Sequence, residues 1–128
     1  MFGMFAKPDL TLRERAFLML HLVHVHLMGY VTHATWPSED HRATAIDTWL
    51  RRRGKKAGVL FRAKISTAAD EMSRFLAATL EKEDVQELYD LLNAAEQFGG
   101  KAGADVAHRV ASLVDECERA LIAKGMAS

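Results

Sequence analysis

Cysteine is nearly absent from this chain, with Cys117 the single one in 128 residues. A lone thiol cannot close an internal disulfide, which excludes a disulfide-stapled secreted scaffold and makes the reducing cytoplasm the expected compartment. Proline is almost as scarce: Pro8 and Pro37 are the only two, and each precedes a candidate helix start. Long apolar runs are missing too. The nearest, AFLMLHLVHVHLMGYV from Ala16 to Val31, is shorter than the ~20 residues a membrane-spanning helix needs and carries three histidines and a glycine, so a buried central helix and no membrane contact are expected. The start MFGMFAKPD has neither a basic n-region nor a small-residue cleavage site after an apolar run, so no signal peptide is expected. Net charge is also lacking, since 17 basic and 17 acidic residues cancel.

What is present reads as one all-α domain. A chain of this length is one domain by size, here residues 1–128 with 1–10 as an N-terminal arm, and buries roughly two-thirds of its unfolded surface. Thr11-Leu-Arg-Glu14 has the form of a capping box and starts a first helix reaching about Ala34. Its apolar residues cover nearly the whole circumference beyond Ala16, the mark of a helix surrounded by others. Ser38, followed by Glu39 and Asp40, caps a second helix, in which Ala43, Ile46, Trp49 and Leu50 recur at helical spacing until Gly54.

KKAGVLFRAKIST reads as a short helix, since Val59-Leu60-Phe61 finds no partner strand elsewhere. Ser66 or Thr67 then caps a further helix through about Leu80, with Ala68, Met72, Phe75, Leu76 and Thr79 expected inward. Val85, Leu88, Tyr89, Leu92 and Ala95 mark one face of a helix ending at Gly99-Gly100. After the loop GGKAG, a final helix from about Ala104 to Lys124 turns Val106, Val110, Leu113, Val114, Cys117 and Leu121 inward, and Gly125 stops it. The expectation is a compact bundle of five or six helices.

Charge is distributed unevenly along this neutral chain. Residues 1–64 hold 11 Lys and Arg against 5 Asp and Glu, and residues 65–128 hold 6 against 12. The halves therefore differ by sign, which suits an anionic partner for one face, or association of the basic half with the acidic half. Arg51, Arg52, Arg53, Lys55 and Lys56 cluster at the end of the second helix, with Arg42 earlier on it and Arg62 and Lys64 beyond the loop. Arginine forks and flexible lysines at that density suit a phosphate backbone, DNA or RNA, gripped without base readout, or an acidic protein surface. The alternative is a solvated helix end complemented by its dipole.

HLVHVH places His21 and His24 one turn apart, a spacing that can share a metal, and Asp105-Val-Ala-His108 repeats it on the last helix. Hydrogen-bonded, partly buried histidines, or a surface that charges near pH 6.5, are the alternatives. Trp36 either staples the second helix to the first or stands out as an interface anchor, and Phe2 and Phe5 in the arm either cover the core or dock a partner. No catalytic motif is specific: Cys117 faces inward, and GGKAG lacks the strand and the serine or threonine of a phosphate loop. No cofactor is expected.

In size and charge such a domain is similar to small helical subunits of bacterial nucleoprotein complexes, CRISPR effectors included, and to phage or plasmid proteins that inhibit them. The leading expectation is a non-enzymatic module that binds a nucleic-acid backbone within a larger assembly. A protein-binding adaptor or inhibitor using the same patch, and a histidine-ligated metal-binding bundle, are the alternatives.

Overall fold

The structure is a computed structural model and describes residues 10–127. It contains α1 (Leu12–His33), α2 (Glu39–Arg52), α3 (Val59–Thr79), α4 (Lys82–Phe98) and α5 (Ala104–Ala123), with no strand among the described residues. No helix among them is long and apolar enough to cross a membrane. Phe2 and Phe5 lie outside the described residues.

The α1 helix is the hub. It packs most extensively against α3 and α5 and also meets α4 and α2, and ten of its residues are buried from Ala16 through Leu27. That is why its apolar residues run all round the helix: each flank has a neighbour to pack against. The capping box forms as the sequence implies, with the Thr11 hydroxyl accepting from the Glu14 N–H and the Glu14 carboxylate accepting from the Thr11 N–H. At the other end Ala34 takes the left-handed conformation (φ 51°) and the chain folds back so tightly that a Cβ on Gly29 would sit 2.5 Å from the Thr35 carbonyl oxygen. Glycine is required at position 29 by that close approach.

The Ser38 hydroxyl caps α2 by accepting from the His41 N–H. The helix ends at Arg53, and Gly54 takes the positive φ (61°) that turns the chain away.

The third element departs from the sequence reading. Residues 59–79 form one continuous helix capped at Gly58, where two helices divided at Ser66 or Thr67 were expected. Nothing between Val59 and Thr79 breaks a helix, and both hydroxyl residues are used within it. Thr67 donates to the Ala63 carbonyl one turn back, a common habit of mid-helix threonine, while Ser66 accepts from Arg42 Nε. The inward face is rotated accordingly. Ile65, Ala68, Ala69 and Ser73 are buried, Met72 and Leu76 pack partly against the core, and Phe75 (64 % exposed) and Thr79 face outward.

The last two helices follow expectation more closely. Val85, Leu88, Leu91 and Leu92 are buried on α4, and Val114, Cys117 and Leu121 on α5. Burial, and secondarily the charges of Glu116 and Glu118, push the Cys117 thiol up to about 12, so it is an inert apolar core residue at neutral pH.

Candidate metal centre and the cationic surface

A cavity of about 460 Å³ opens where α1, the end of α2, the end of α4 and α5 meet. Its walls are apolar at Phe17, Leu20, Leu92 and Val110, and polar groups converge on it from three helices. His21 and His24 enter from α1, where a spacing of three residues puts both rings on one flank. Glu96 enters from the last turn of α4, one turn beyond the buried Leu92. His21 Nδ1 stands 2.7 Å from Glu96 Oε1, and His24 Nδ1 stands 3.6 Å from the same oxygen.

The two histidines differ in how they are held. The His24 ring is buried and stacked on Tyr89, centroids 5.6 Å apart and planes 17° from parallel. Its Nε2 is buried without a hydrogen-bond partner, and Nδ1 is the nitrogen that faces Glu96. His21 is half-buried and hydrogen-bonded through Nδ1. Burial acts to raise the pKa of Glu96, but the hydrogen bond from His21 and the nearby His24 ring outweigh it and hold the carboxyl well below the usual carboxylate range. Glu96 is therefore an anion at any physiological pH.

One ligand atom from each of His21, His24 and Glu96 lies within 4.8 Å of the other two. Metal–ligand bonds of about 2.0–2.1 Å put two ligand atoms of a tetrahedral site roughly 3.3 Å apart. The observed separations from Glu96, 2.7 and 3.6 Å, fall on either side of that value, and the two imidazole nitrogens lie within 4.8 Å of each other. His108, the third histidine singled out from the sequence, is exposed on α5 and is not part of the cluster.

Arg53 lines the same cavity. Its guanidinium lies 4.0 Å above the ring of the buried Trp49, and Nη1 donates to the Trp49 carbonyl at 3.3 Å. Burial lowers its pKa and the field of Glu96 raises it, but Glu96 forms no ion pair with it, so its charge is not cancelled in place. At the cavity edge Glu14 is paired with Lys55 at 3.2 Å.

The eight cations of the expected basic patch thus divide. Arg42 is half-buried: Nε donates to Ser66, Nη1 donates to the Pro37 carbonyl, and Asp70 lies 3.8 Å away. Arg62 pairs with Asp47, Lys55 with Glu14, and Arg53 turns back over Trp49. Arg51, Arg52, Lys56 and Lys64 are exposed and form no ion pair among the described residues.

Trp36 acts as a staple. Its indole N–H donates to Asp70, its ring stacks on His26 and meets Tyr30 edge-on, and the Arg74 guanidinium covers it at 4.6 Å. Glu96 and Arg53 are the cavity residues whose role the sequence reading missed. A signal existed for Glu96: it lies four residues after the inward Leu92, so the helical repeat places its carboxylate on the same flank, at the rim where that flank meets solvent.

No family model matches the chain, and no curated protein or solved structure is significantly similar to it.

Proposed function

We propose that this protein is a metal-binding helical bundle that holds one divalent transition ion between His21, His24 and Glu96. The observation that carries the reading is the approach, from two helices, of two imidazole nitrogens and one ionised carboxylate to within 4.8 Å of one another at the wall of an open cavity. Mixed imidazole and carboxylate donors suit zinc, iron, cobalt, nickel or copper better than calcium or magnesium. Three protein ligands leave a coordination position open to the cavity, as in exchangeable and catalytic sites, whereas purely structural zinc sites close all four.

The test uses protein purified without a histidine tag and stripped of metal. Equilibrium dialysis against Zn²⁺, and visible absorption on titration with Co²⁺, are expected to show one ion per chain. Removing ligands by Glu96→Gln together with His21→Gln is expected to weaken uptake by tenfold or more. Absence of uptake at micromolar metal, or uptake indifferent to the double substitution, overturns the reading.

A second reading rests on a separate observation, the four exposed cations Arg51, Arg52, Lys56 and Lys64 with no carboxylate partner among the described residues. These residues form a grip for a nucleic-acid backbone that senses charge and not sequence. Affinity for short DNA and RNA strands is expected to fall with salt at a log–log slope of about −0.7 to −0.9 per phosphate engaged. Alanine at all four positions is expected to flatten that slope, and an unchanged slope removes this surface as the binding face.

A further inference from the structure

We infer that the cavity beside the metal site takes a small organic carboxylate, whose oxygen completes the metal's coordination and whose second contact is the Arg53 guanidinium. The inference rests on the metal reading above and names the ligand class of the same site.

Charge is the first argument. A divalent ion brings two positive charges, Glu96 cancels one, and Arg53 adds one, while Glu14 is already neutralised by Lys55. The loaded cavity therefore carries a surplus of positive charge, and an anion relieves it.

Geometry is the second. Arg53 is oriented by its own helix: the guanidinium plane rests on Trp49 and one nitrogen is tied to the Trp49 carbonyl. That leaves further N–H groups of the fork to donate, and a fixed fork matches the two oxygens of a carboxylate better than a spherical ion.

The walls are the third argument. Phe17, Leu20, Leu92 and Val110 line the same cavity as the two charged ends. An inorganic anion leaves those surfaces wetted, whereas a carboxylate with an apolar body covers them, which is the usual composition of a small-molecule site. A cavity of about 460 Å³ accommodates a body the size of one aromatic ring.

The experiment uses benzoate as the anionic probe and benzamide as its neutral counterpart. Co²⁺ is titrated into stripped protein first, with no probe present. Failure to load at this step is failure of the metal reading and is recorded before any carboxylate is added. On the loaded protein, benzoate is expected to shift the Co²⁺ visible band and to bind at least tenfold more tightly than benzamide. ¹⁹F NMR of 4-fluorobenzoate is expected to show at least tenfold weaker binding to the stripped protein than to the Zn²⁺-loaded one. Arg53→Gln is expected to weaken benzoate tenfold or more, and Arg53→Lys, which keeps the charge but loses the fork, to fall between the two. Each variant's own Co²⁺ titration serves as the check on folding and loading. Equal affinity for benzoate and benzamide, equal affinity with and without metal, or indifference to Arg53→Gln overturns the inference while leaving the metal site standing.

Discussion

The imidazole of His26 lies fully buried against the indole of Trp36, with ring centroids 5.4 Å apart and planes 18° from parallel. The pair joins the middle of α1 to the segment that enters α2. Around it stand Ser73, whose hydroxyl is 3.3 Å from His26 Nδ1, Asp70, 4.0 Å from Nε2, and the guanidinium groups of Arg42 and Arg74, which face Asp70. Nε2 itself has no hydrogen-bond partner. This environment favours a neutral ring: burial lowers the His26 pKa to about 4, against the pull of Asp70.

A pH dependence of stability follows from that ring. The unfolded chain binds a proton at His26 below about pH 6.5 and the folded chain does so only below about 4, so stability is complete above 6.5 and is lost progressively as pH falls between those values. At about 1.4 kcal/mol per pH unit the loss from this one group comes to about 3–4 kcal/mol once pH has fallen below 4. Urea unfolding of metal-stripped protein at pH 7 and pH 5, beside an NMR titration of the ring protons, checks it. A His26 midpoint near 6.5 refutes the account.

The turn after α1 makes a pair of predictions of opposite sign. Gly29→Ala normally gains up to about 1 kcal/mol of helix propensity, but here the new methyl meets the Thr35 carbonyl oxygen at 2.5 Å, and the expected net effect is a loss of about 1–3 kcal/mol. Ala34→Gly relieves a left-handed alanine worth roughly 1–2 kcal/mol, less the extra freedom of glycine in the unfolded chain, for a net gain of a few tenths to about 1 kcal/mol. Thermal unfolding of the two variants reads both signs.

The phase of α3 is open to direct measurement. Phe75 is 64 % exposed, and Phe75→Ser is expected to change stability by no more than about 0.5 kcal/mol. Ile65 is fully buried, and Ile65→Ala is expected to cost about 2–5 kcal/mol. Were Phe75 instead the costly position, the helix would face the core as the broken-helix reading had it.

Cys117 is expected to resist thiol reagents. With no exposed surface and a thiol pushed up to about 12 by burial, it should react with a disulfide reagent at pH 8 only as fast as the chain opens. Rapid labelling of the native protein is the contrary result. Labelling in urea supplies the full-rate reference.

Local signals carried most of the helix boundaries. Thr11 and Glu14 close their capping box, Ser38 caps α2, and Gly54 ends it, because each of these devices is made from residues within about four positions of one another. The circumferential apolar pattern of α1 likewise announced a central helix. At Ser66-Thr67 the same kind of local signal misled, since both hydroxyls find partners inside a continuing helix and one of those partners, Arg42, arrives from α2. The two halves of opposite charge were legible as well, but which cations stay exposed was not. Arg42, Arg62 and Lys55 are drawn inward by Asp70, Asp47 and Glu14, and Arg53, though exposed, lies back over Trp49.

The sequence by itself determined that the chain makes helices, where most of them start and stop, and that His21 and His24 share a flank, since all of these follow from the helical repeat and from short-range hydrogen bonds. Only the tertiary structure decided that Glu96, 75 residues from His21, meets the two imidazoles and that Arg53 and Trp49 wall the same cavity. The physical reason is that packing of buried faces sets the angles and offsets between helices, and a shift of one residue in any of them carries a carboxylate from the cavity to solvent.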